Sequence, residues 1–432
     1  MPIWEVKMFD PKYETMPKPD IRMIQLERLQ STLNRAYLNV AHYRRSFDEL
    51  KILPENLTSL SDITNLPFTT RTDLENGYPY DMFAVPLREV VRIHASSGQA
   101  RNAIVTGYTA GDLKAWARLM ARFLAGTGIT SDDVIQISFR YGLMTGGFGF
   151  HSAAEILGAS VIPADVGHTE EQVTIMRNYL TSAIACTPGF ALILLDKILE
   201  MEINPKSLRL RRAILGAEKL SQSVRNKITA GLGVEVFNSY GSSVVLGPGI
   251  AGECTAHNGL HLYEDFFIAE IIDPETGSVL EHGEKGELVI TTLMREAFPL
   301  IRYRTGDITK IKEGPCACGR THMLLEDFYG RTDQTVKIKG ISISPERIKN
   351  ILAKYDIEAK TQIQIYREGP FDKADILLEL GENLFFDEMR TQKVFLEKLE
   401  KTIHTGTGIH MGIKIVPASA FKGDALIIDE RE

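Results

Sequence analysis

The chain has few cysteines, no excess of positive charge and no long apolar run. Only four of its 432 residues are cysteines, which argues against a disulfide framework and favours thiol or metal chemistry in a reducing compartment. A formal net charge of −7 argues against nucleic acid as a partner. No run can span a bilayer, and the first ten residues lack the basic and apolar segments of a secretory signal. We therefore expect no membrane partner and a cytoplasmic location.

The rest of the composition is that of an ordinary folded chain. Hydrophobic residues make up 44% and charged residues 24%, and the glycines and prolines form no low-complexity tract. A chain of this length exceeds one ordinary hydrophobic core, so at least two domains are expected.

The spacing of apolar residues predicts an α/β architecture. From Asp20 to Asp48 the spacing is helical and predicts one amphipathic helix. Further on, apolar runs typical of strands alternate with helical segments, at 134–138, 159–163, 183–186 and 212–216. Such alternation predicts a parallel or mixed sheet covered by helices on both faces.

The pattern changes twice in the second half of the chain. From about Phe266, strands follow one another across short turns, which predicts a β-rich subdomain at about 250–330. A second boundary lies near Gly330. Beyond it, a compact segment has strands of its own around 336–338, 363–365 and 413–416.

Five separated motifs occur in a fixed order. They are Leu66-Pro67-Phe68-Thr69-Thr70, then 92–98 (Arg-Ile-His-Ala-Ser-Ser-Gly), then Tyr240-Gly241-Ser242-Ser243 with 247–249, then Tyr303-Arg304-Thr305-Gly306-Asp307, and finally Gly330-Arg331-Thr332-Asp333 leading to 341–345. In this order they resemble the adenylate-forming superfamily and, within it, the phenylacetate-coenzyme A ligase family. The resemblance covers nearly the whole chain.

This resemblance implies a reaction in two steps. A carboxylic acid, with aryl acids among the candidates, attacks the α-phosphate of ATP to give an acyl-adenylate, and the thiol of coenzyme A then displaces AMP. The implied fold is a large N-terminal domain at residues 1–331 and a small mobile α+β domain at residues 332–432. The resemblance also implies a homodimer.

The resemblance assigns the site residues. Tyr240 is expected to stack on adenine, and Asp307 to accept both ribose hydroxyls as an ionised carboxylate can. Arg331 reaches the ribose or the phosphates, and Asp333 is the hinge of the C-terminal domain. The remaining nucleotide or coenzyme A residues are Ser96, Ser97, Gly98, Gly216, Ala217, Glu218, Asn238, Ser239, Gly241, Ser242, Lys339 and Gly340. The acyl pocket is assigned to Tyr141, Gly142, Gly146, Gly147 and Phe148.

Three positions depart from the family pattern. Asn102 stands where the phosphate loop should carry a lysine, with Arg101 as a possible substitute cation. Val244 replaces a glutamate that would bind Mg²⁺, and a valine side chain cannot coordinate that cation. Asp424 replaces the lysine that stabilises charge in adenylate formation, leaving Lys422 as the nearest candidate. The alternative is therefore a catalytically impaired relative that holds ATP, AMP, ADP or coenzyme A.

The cysteines suggest a separate metal site. Cys316 and Cys318 form a tight knuckle, and together with Cys254 and His261 they would give a structural zinc site with three sulfurs and one nitrogen. His257 and His322 are alternative ligands. Cys186 ends the predicted strand at 183–186, is expected to face the acyl pocket, and is not expected to bind the metal.

Overall fold

The computed structural model describes residues 8–96, 103–338, 341–355, 357, 359–369, 371–379, 389–423 and 425–431. Its α-helices are α1 (Pro11–Glu14), α2 (Lys18–Asn39), α3 (Ala41–Glu49), α4 (Arg71–Asn76), α5 (Ala110–Gly126), α6 (Gly146–Leu157), α7 (Thr169–Asn178), α8 (Pro188–Glu200), α9 (Gln222–Leu232), α10 (Pro345–Leu352) and α11 (Met389–Thr407). In the described part of the chain, no helix has both the length and the apolar character needed to cross a bilayer.

The strands of the N-terminal part build two main sheets and one hairpin. They are β1 (Arg92–Ala95), β2 (Val105–Tyr108), β3 (Val134–Ser138), β4 (Ser160–Pro163), β5 (Ala183–Cys186), β6 (Arg212–Gly216), β7 (Glu235–Ser242), β8 (Gly247–Gly252), β9 (Leu260–Leu262), β10 (Phe267–Ile272), β11 (Gly286–Thr292), β12 (Tyr303–Thr309), β13 (Ile311–Lys312), β14 (Leu324–Leu325) and β15 (Gly330–Arg331).

The central sheet is mixed, as the sequence predicts. Its nine strands lie in the order β13-β14-β9-β8-β7-β6-β5-β3-β4. Strands β3 to β7 are parallel to one another, and the remaining four are antiparallel. Every residue of β5 is buried, as expected for a strand covered on both faces. The predicted strands at 134–138, 159–163, 183–186 and 212–216 all fall in this sheet.

The second sheet is antiparallel, in the order β10-β11-β12-β15. It contains most of the strands that the sequence predicts after Phe266. Strands β9, β13 and β14 come from the same part of the chain but join the central sheet instead. The chain that follows β8 thus contributes strands to both sheets. In the second sheet, the pairing of β12 with β15 places Asp307 opposite Arg331.

One helix prediction is wrong. The single helix expected from Asp20 to Asp48 is two helices, α2 and α3, because Val40 between them has an extended backbone (φ −113°, ψ 112°). Val40 is fully buried, so the break places its side chain in the core. The helical spacing of apolar residues continues across the break, which is why the sequence does not show it.

The C-terminal segment has its own sheets and its own core. The strands are β16 (Val336–Ile338), β17 (Ile341–Ile343), β18 (Thr361–Glu368), β19 (Phe371–Glu379), β20 (Gly412–Val416) and β21 (Ile427–Asp429). β16 pairs with β17, and a four-stranded sheet follows in the order β20-β19-β18-β21. The buried apolar side chains from Ile338 to Ile413 form one cluster that is separate from the N-terminal clusters.

Candidate functional site

The carboxyl ends of β6 and β7 bring two predicted segments together. Gly216 pairs with Ser239, and a Cβ atom on Gly216 would lie 2.6 Å from the carbonyl oxygen of Ser239. Only glycine permits this approach. Ala217 follows with a positive φ of 67°, a strained conformation for a residue with a side chain. In open α/β sheets, ligands bind outside the carboxyl ends of parallel strands.

Glu218 and Asn238 have defined partners at this edge. The Glu218 carboxylate accepts a hydrogen bond from the amide of Gly189 (3.1 Å), in the first turn of α8, where negative charge is favourable. The amide of Asn238 donates to Glu253 (2.7 Å). The buried hydroxyl of Ser239 has no hydrogen-bond partner in the described structure. Gly241 and Ser242 complete β7 and lead into the turn that contains Val244.

A network centred on Asp307 joins four predicted site residues. The Tyr240 hydroxyl donates to one carboxylate oxygen of Asp307 (2.6 Å), and Arg331 donates to the other (2.5 Å). Arg331 also forms a two-pronged ion pair with Asp333, at 2.8 and 2.9 Å. Charge-assisted, bidentate pairs of this kind fix geometry as well as charge.

The pKa values in this network follow from burial and neighbouring charges. Burial, and then the Asp307 carboxylate, raise the pKa of Tyr240 well above its ordinary value, so its hydroxyl stays protonated. Burial opposes the charge of Arg331, but Asp333 and Asp307 raise its pKa. Burial alone would raise the pKa of the Asp333 carboxyl. The Arg331 guanidinium outweighs this effect, so the pKa of Asp333 is lowered. The network therefore holds fixed charges at neutral pH.

Phe328 belongs to this site and was missed by the sequence analysis. Its ring stacks on that of Tyr240, with 4.1 Å between centroids and 24° between planes. The two residues are far apart in the chain, and no motif includes Phe328. The site thus has a double aromatic layer beside Asp307.

Only the first residue of the predicted phosphate loop is described. The Ser96 hydroxyl accepts a hydrogen bond from the amide of Ile104 (3.0 Å) and so closes the base of the loop. Ser97, Gly98, Arg101 and Asn102 lie outside the described residues, and so do Lys339, Gly340 and Asp424.

A buried polar cluster that the sequence does not predict lies at β1 and β2, next to Ser96. His94 and Thr106 face each other across β1 and β2, and His94 Nε2 and the Thr106 hydroxyl have no partner in the described structure. The guanidinium of Arg295 lies 4.0 Å from the centre of the Tyr108 ring, and two of its nitrogens are also unpartnered. This buried arginine thus adds positive charge near His94 and Tyr108.

The predicted acyl-pocket residues form an aromatic corner. A Cβ atom on Gly147 would lie 3.1 Å from the Tyr141 ring, so glycine lets this ring lie against α6. The rings of Tyr141 and Phe148 meet edge to face at 5.2 Å. The Tyr141 hydroxyl lies 3.2 Å from His151 Nδ1, and burial raises the pKa of Tyr141. Gly142 (φ 93°) and Gly146 border the corner.

The metal-binding role expected from the family does not fit at Val244. Its side chain is buried in the main apolar cluster and offers no oxygen to a cation. The neighbouring Ser243 hydroxyl is 2.9 Å from that of Thr145. Lys422 forms an ion pair with Glu430 within the C-terminal segment, and its amide donates to Gln362 (3.0 Å).

The four predicted metal ligands converge. One ligand atom from each of Cys254, His261, Cys316 and Cys318 lies within 4.8 Å of every other, and all four residues are buried. The two alternative ligands are engaged elsewhere: His257 contacts Glu235 (3.0 Å), and His322 Nδ1 accepts from the amide of Glu264 (3.2 Å). The Cys254 thiol and His261 lower the pKa of the Cys318 thiol. This donor set fits zinc.

Comparison with known proteins identifies the C-terminal segment. Residues 340–425 match the model of the AMP-binding enzyme C-terminal domain. Among solved structures, the chain is similar to 2-hydroxyisobutyryl-CoA ligase in complex with 2-HIB-AMP and CoA in the thioesterification state, with 25% identity, a TM-score of 0.90, and coverage of 98% of this chain and 92% of that one. Against the postadenylation state of the same ligase the TM-score is 0.72.

Two curated relatives are similar along almost their full length. The phenylacetate-coenzyme A ligase of Thermus thermophilus is 38% identical over 424 residues, covering 95% of each chain. That of Pseudomonas putida is 39% identical over 417 residues, covering 96% of this chain and 94% of the relative. The chain therefore belongs to the phenylacetate-coenzyme A ligase family.

Proposed function

We propose that this protein joins a carboxylic acid to coenzyme A through an acyl-adenylate. The observation that carries the proposal is the network of Tyr240, Asp307 and Arg331 beside the carboxyl ends of β6 and β7. An ionised carboxylate flanked by an aromatic ring and an arginine suits the ribose, adenine and phosphate of one nucleotide. ATP and coenzyme A are the cosubstrates.

Each residue has a defined task in this scheme. Asp307 accepts the ribose hydroxyls, Tyr240 stacks on adenine, and Arg331 stabilises negative charge on the ribose or phosphate side. The segments Gly216–Glu218 and Asn238–Ser242 border the nucleotide, and Ser96 begins the loop for the outer phosphates. Asp333 is the hinge between a domain at residues 1–331 and a second at residues 332–432.

The arrangement of the two segments supports the second half-reaction. The TM-score is 0.90 against the ligase in the thioesterification state and 0.72 against its postadenylation state. Lys337 of β16 is half-buried. Burial lowers its pKa, while Asp307 acts in the opposite direction. In this proposal the C-terminal segment borders the nucleotide residues when the coenzyme A thiol attacks, and Lys339 and Gly340 would lie on the path of the thiol.

We further propose an aryl acid as the substrate. Tyr141 and Phe148 form an aromatic corner beside the glycines of α6, and the His94 ring lies 5.3 Å from Phe148. Flat aromatic groups pack well against such edge-to-face pairs.

A second candidate function rests on Val244. No carboxylate is available at this position for Mg²⁺, and no step here is assigned to that ion. A protein that retains nucleotide or coenzyme A binding but adenylates poorly would fit this substitution together with Asn102 and Asp424.

One experiment separates the two functions. The protein is incubated with ATP, MgCl₂, coenzyme A and a panel of aryl acids, and pyrophosphate release and acyl-CoA formation are measured. Acid-dependent release of pyrophosphate supports the ligase. Binding of AMP or coenzyme A by calorimetry, with no release for any acid, supports the impaired relative. The V244E/D424K double variant then tests whether restoring both groups restores turnover.

We also propose a structural zinc ion bound by Cys254, His261, Cys316 and Cys318. Zinc would hold the turn after β8 against the knuckle before β14 and supply no catalytic chemistry. Metal analysis of the purified protein is expected to give one zinc per chain, and C318S to lose it.

Finally, we propose a cytoplasmic homodimer. None of the four cysteines forms a disulfide, as suits a reducing compartment. Light scattering on the purified protein is expected to give twice the chain mass of 48.2 kDa, and a mass of one chain would refute the dimer.

A further inference from the structure

A buried arginine lies next to the proposed zinc ligands. Arg320 is two residues beyond Cys318 and is only 3% exposed. Its Nε donates to a carboxylate oxygen of Glu14 at 2.6 Å, and Glu14 is completely buried. Both terminal nitrogens of Arg320 lack a hydrogen-bond partner in the described structure. Buried donors of this type are normally satisfied, so their free N–H groups indicate an acceptor that metal loading would supply.

Charge balance identifies that acceptor. Zinc with three thiolates and one neutral imidazole carries a net charge of about −1, and a buried charge needs a partner. The guanidinium of an arginine stays protonated in proteins, and here Nε of Arg320 donates to the Glu14 carboxylate. Arg320 is therefore a permanent cation between one carboxylate and the sulfur ligands.

The same stretch holds the first helices of the chain in place. The amide of Thr321 donates to the carbonyl of Glu14 (3.0 Å), and its hydroxyl donates to the carbonyl of Met16 (2.7 Å). One carboxylate oxygen of Glu14 also accepts from the amide of Asp10 (2.7 Å). These contacts involve both ends of α1 and the first residues of the link between α1 and α2. The residues after the knuckle thus hold the segment 10–16.

We propose that Arg320 is a positioning residue of the zinc site, which couples metal binding to the anchoring of the first helices. Its terminal N–H groups donate to zinc-bound thiolate sulfur, while its Nε holds Glu14. Zinc binding therefore orders the sulfur ligands on one side of the guanidinium and Glu14 on the other. This inference rests on the zinc site proposed above.

Hydrogen exchange of the full-length wild type, with and without zinc, tests the coupling. Zinc is removed with a chelator and added back as ZnCl₂, and exchange is followed by mass spectrometry. Metal removal is expected to accelerate amide exchange at least tenfold in residues 10–16, with no change in β18 and β19 of the C-terminal segment. Unchanged exchange in 10–16 would overturn the coupling, whereas failure to bind zinc at all would refute the metal site itself.

Variants then test the arginine directly. R320Q is expected to weaken zinc affinity roughly tenfold to a hundredfold in a chelator competition, the range seen when outer partners of metal ligands are lost. R320K, which keeps the charge, should fall between R320Q and wild type. The matched control is R118Q, because Arg118 pairs with Asp10 of the same segment at 3.1 Å but is 58% exposed in its side chain. Equal zinc affinity in R320Q and R118Q would contradict the proposal.

Discussion

Replacing Asp307 by asparagine tests the nucleotide site most sharply. The carboxylate accepts from Tyr240 at 2.6 Å and from Arg331 at 2.5 Å, so both oxygens are already oriented by half-buried donors. With nucleotide bound, the same two oxygens would accept the ribose hydroxyls. The amide of asparagine keeps one neutral acceptor and places an NH₂ group where the second acceptor was.

The size of the effect follows from these bonds. A hydrogen bond to a charged group contributes about 1.5–3 kcal/mol. D307N removes one such bond to the ribose and weakens the other, a loss of about 2–3 kcal/mol, or roughly 30- to 150-fold in the Kd for AMP. Isothermal titration of AMP into the folded variant measures this loss.

A matched control excludes a general effect of losing a tyrosine–aspartate pair. The Tyr37 hydroxyl donates to Asp48 at 2.8 Å on the exposed surface of α2 and α3. D48N should leave the affinity for AMP unchanged. If D307N folds normally and binds AMP within threefold of wild type, the assignment of the ribose to Asp307 is refuted.

Two further predictions concern stability. G216A places a Cβ atom 2.6 Å from the Ser239 carbonyl and should lower the free energy of unfolding by about 1–3 kcal/mol. The loss should be larger than for G146A, whose Cβ atom would meet its nearest neighbour, Phe139, at an ordinary contact distance of 3.5 Å; equal losses in denaturant titrations would refute this packing argument. His94 is 1% exposed, and burial lowers its pKa to about 4, so the unfolded chain takes up a proton between pH 6.5 and 4 that the native state excludes. Wild type should therefore lose up to about 3 kcal/mol as pH falls through this window, and H94N should lose less; parallel pH profiles would contradict this reading.

The strands of the central sheet could be predicted because their signal is local. Residues 183–186 are apolar and bounded by turns, and in the fold they form a strand buried on both faces. The break between α2 and α3 could not be predicted in this way. Val40 leaves the helical region at one residue only, so that its buried side chain packs in the core, and the apolar spacing on either side is unaffected.

The candidate site was predictable where residues share a motif. Tyr240, Asp307 and Arg331 belong to motifs far apart in sequence, and the structure places them in one hydrogen-bonded network. Phe328 and Arg295 could not be predicted from the sequence, because neither belongs to a motif. Each lies at the site through contact with a residue distant in the chain, Tyr240 and Tyr108 respectively.

The four proposed metal ligands include some that the sequence predicts by itself and one that depends on the fold. The Cys316 and Cys318 knuckle is a local signal, but the choice among three histidines depends on the fold. Pairing of β9 with β14 places His261 opposite Leu324, beside the knuckle, while His257 is held by Glu235. Strand register, which the sequence does not reveal, therefore decides the fourth ligand.

The central claim is that an acyl-adenylate forms, and isotope transfer tests it most directly. The acid is labelled with oxygen-18 in its carboxylate and incubated with the protein, ATP, MgCl₂ and coenzyme A, and the nucleotide products are analysed by mass spectrometry. Attack of the carboxylate on the α-phosphate leaves one labelled oxygen on AMP after the thiol displaces it. We predict labelled AMP together with acyl-CoA. Acyl-CoA accompanied by unlabelled AMP, or by ADP and labelled phosphate, would contradict the account.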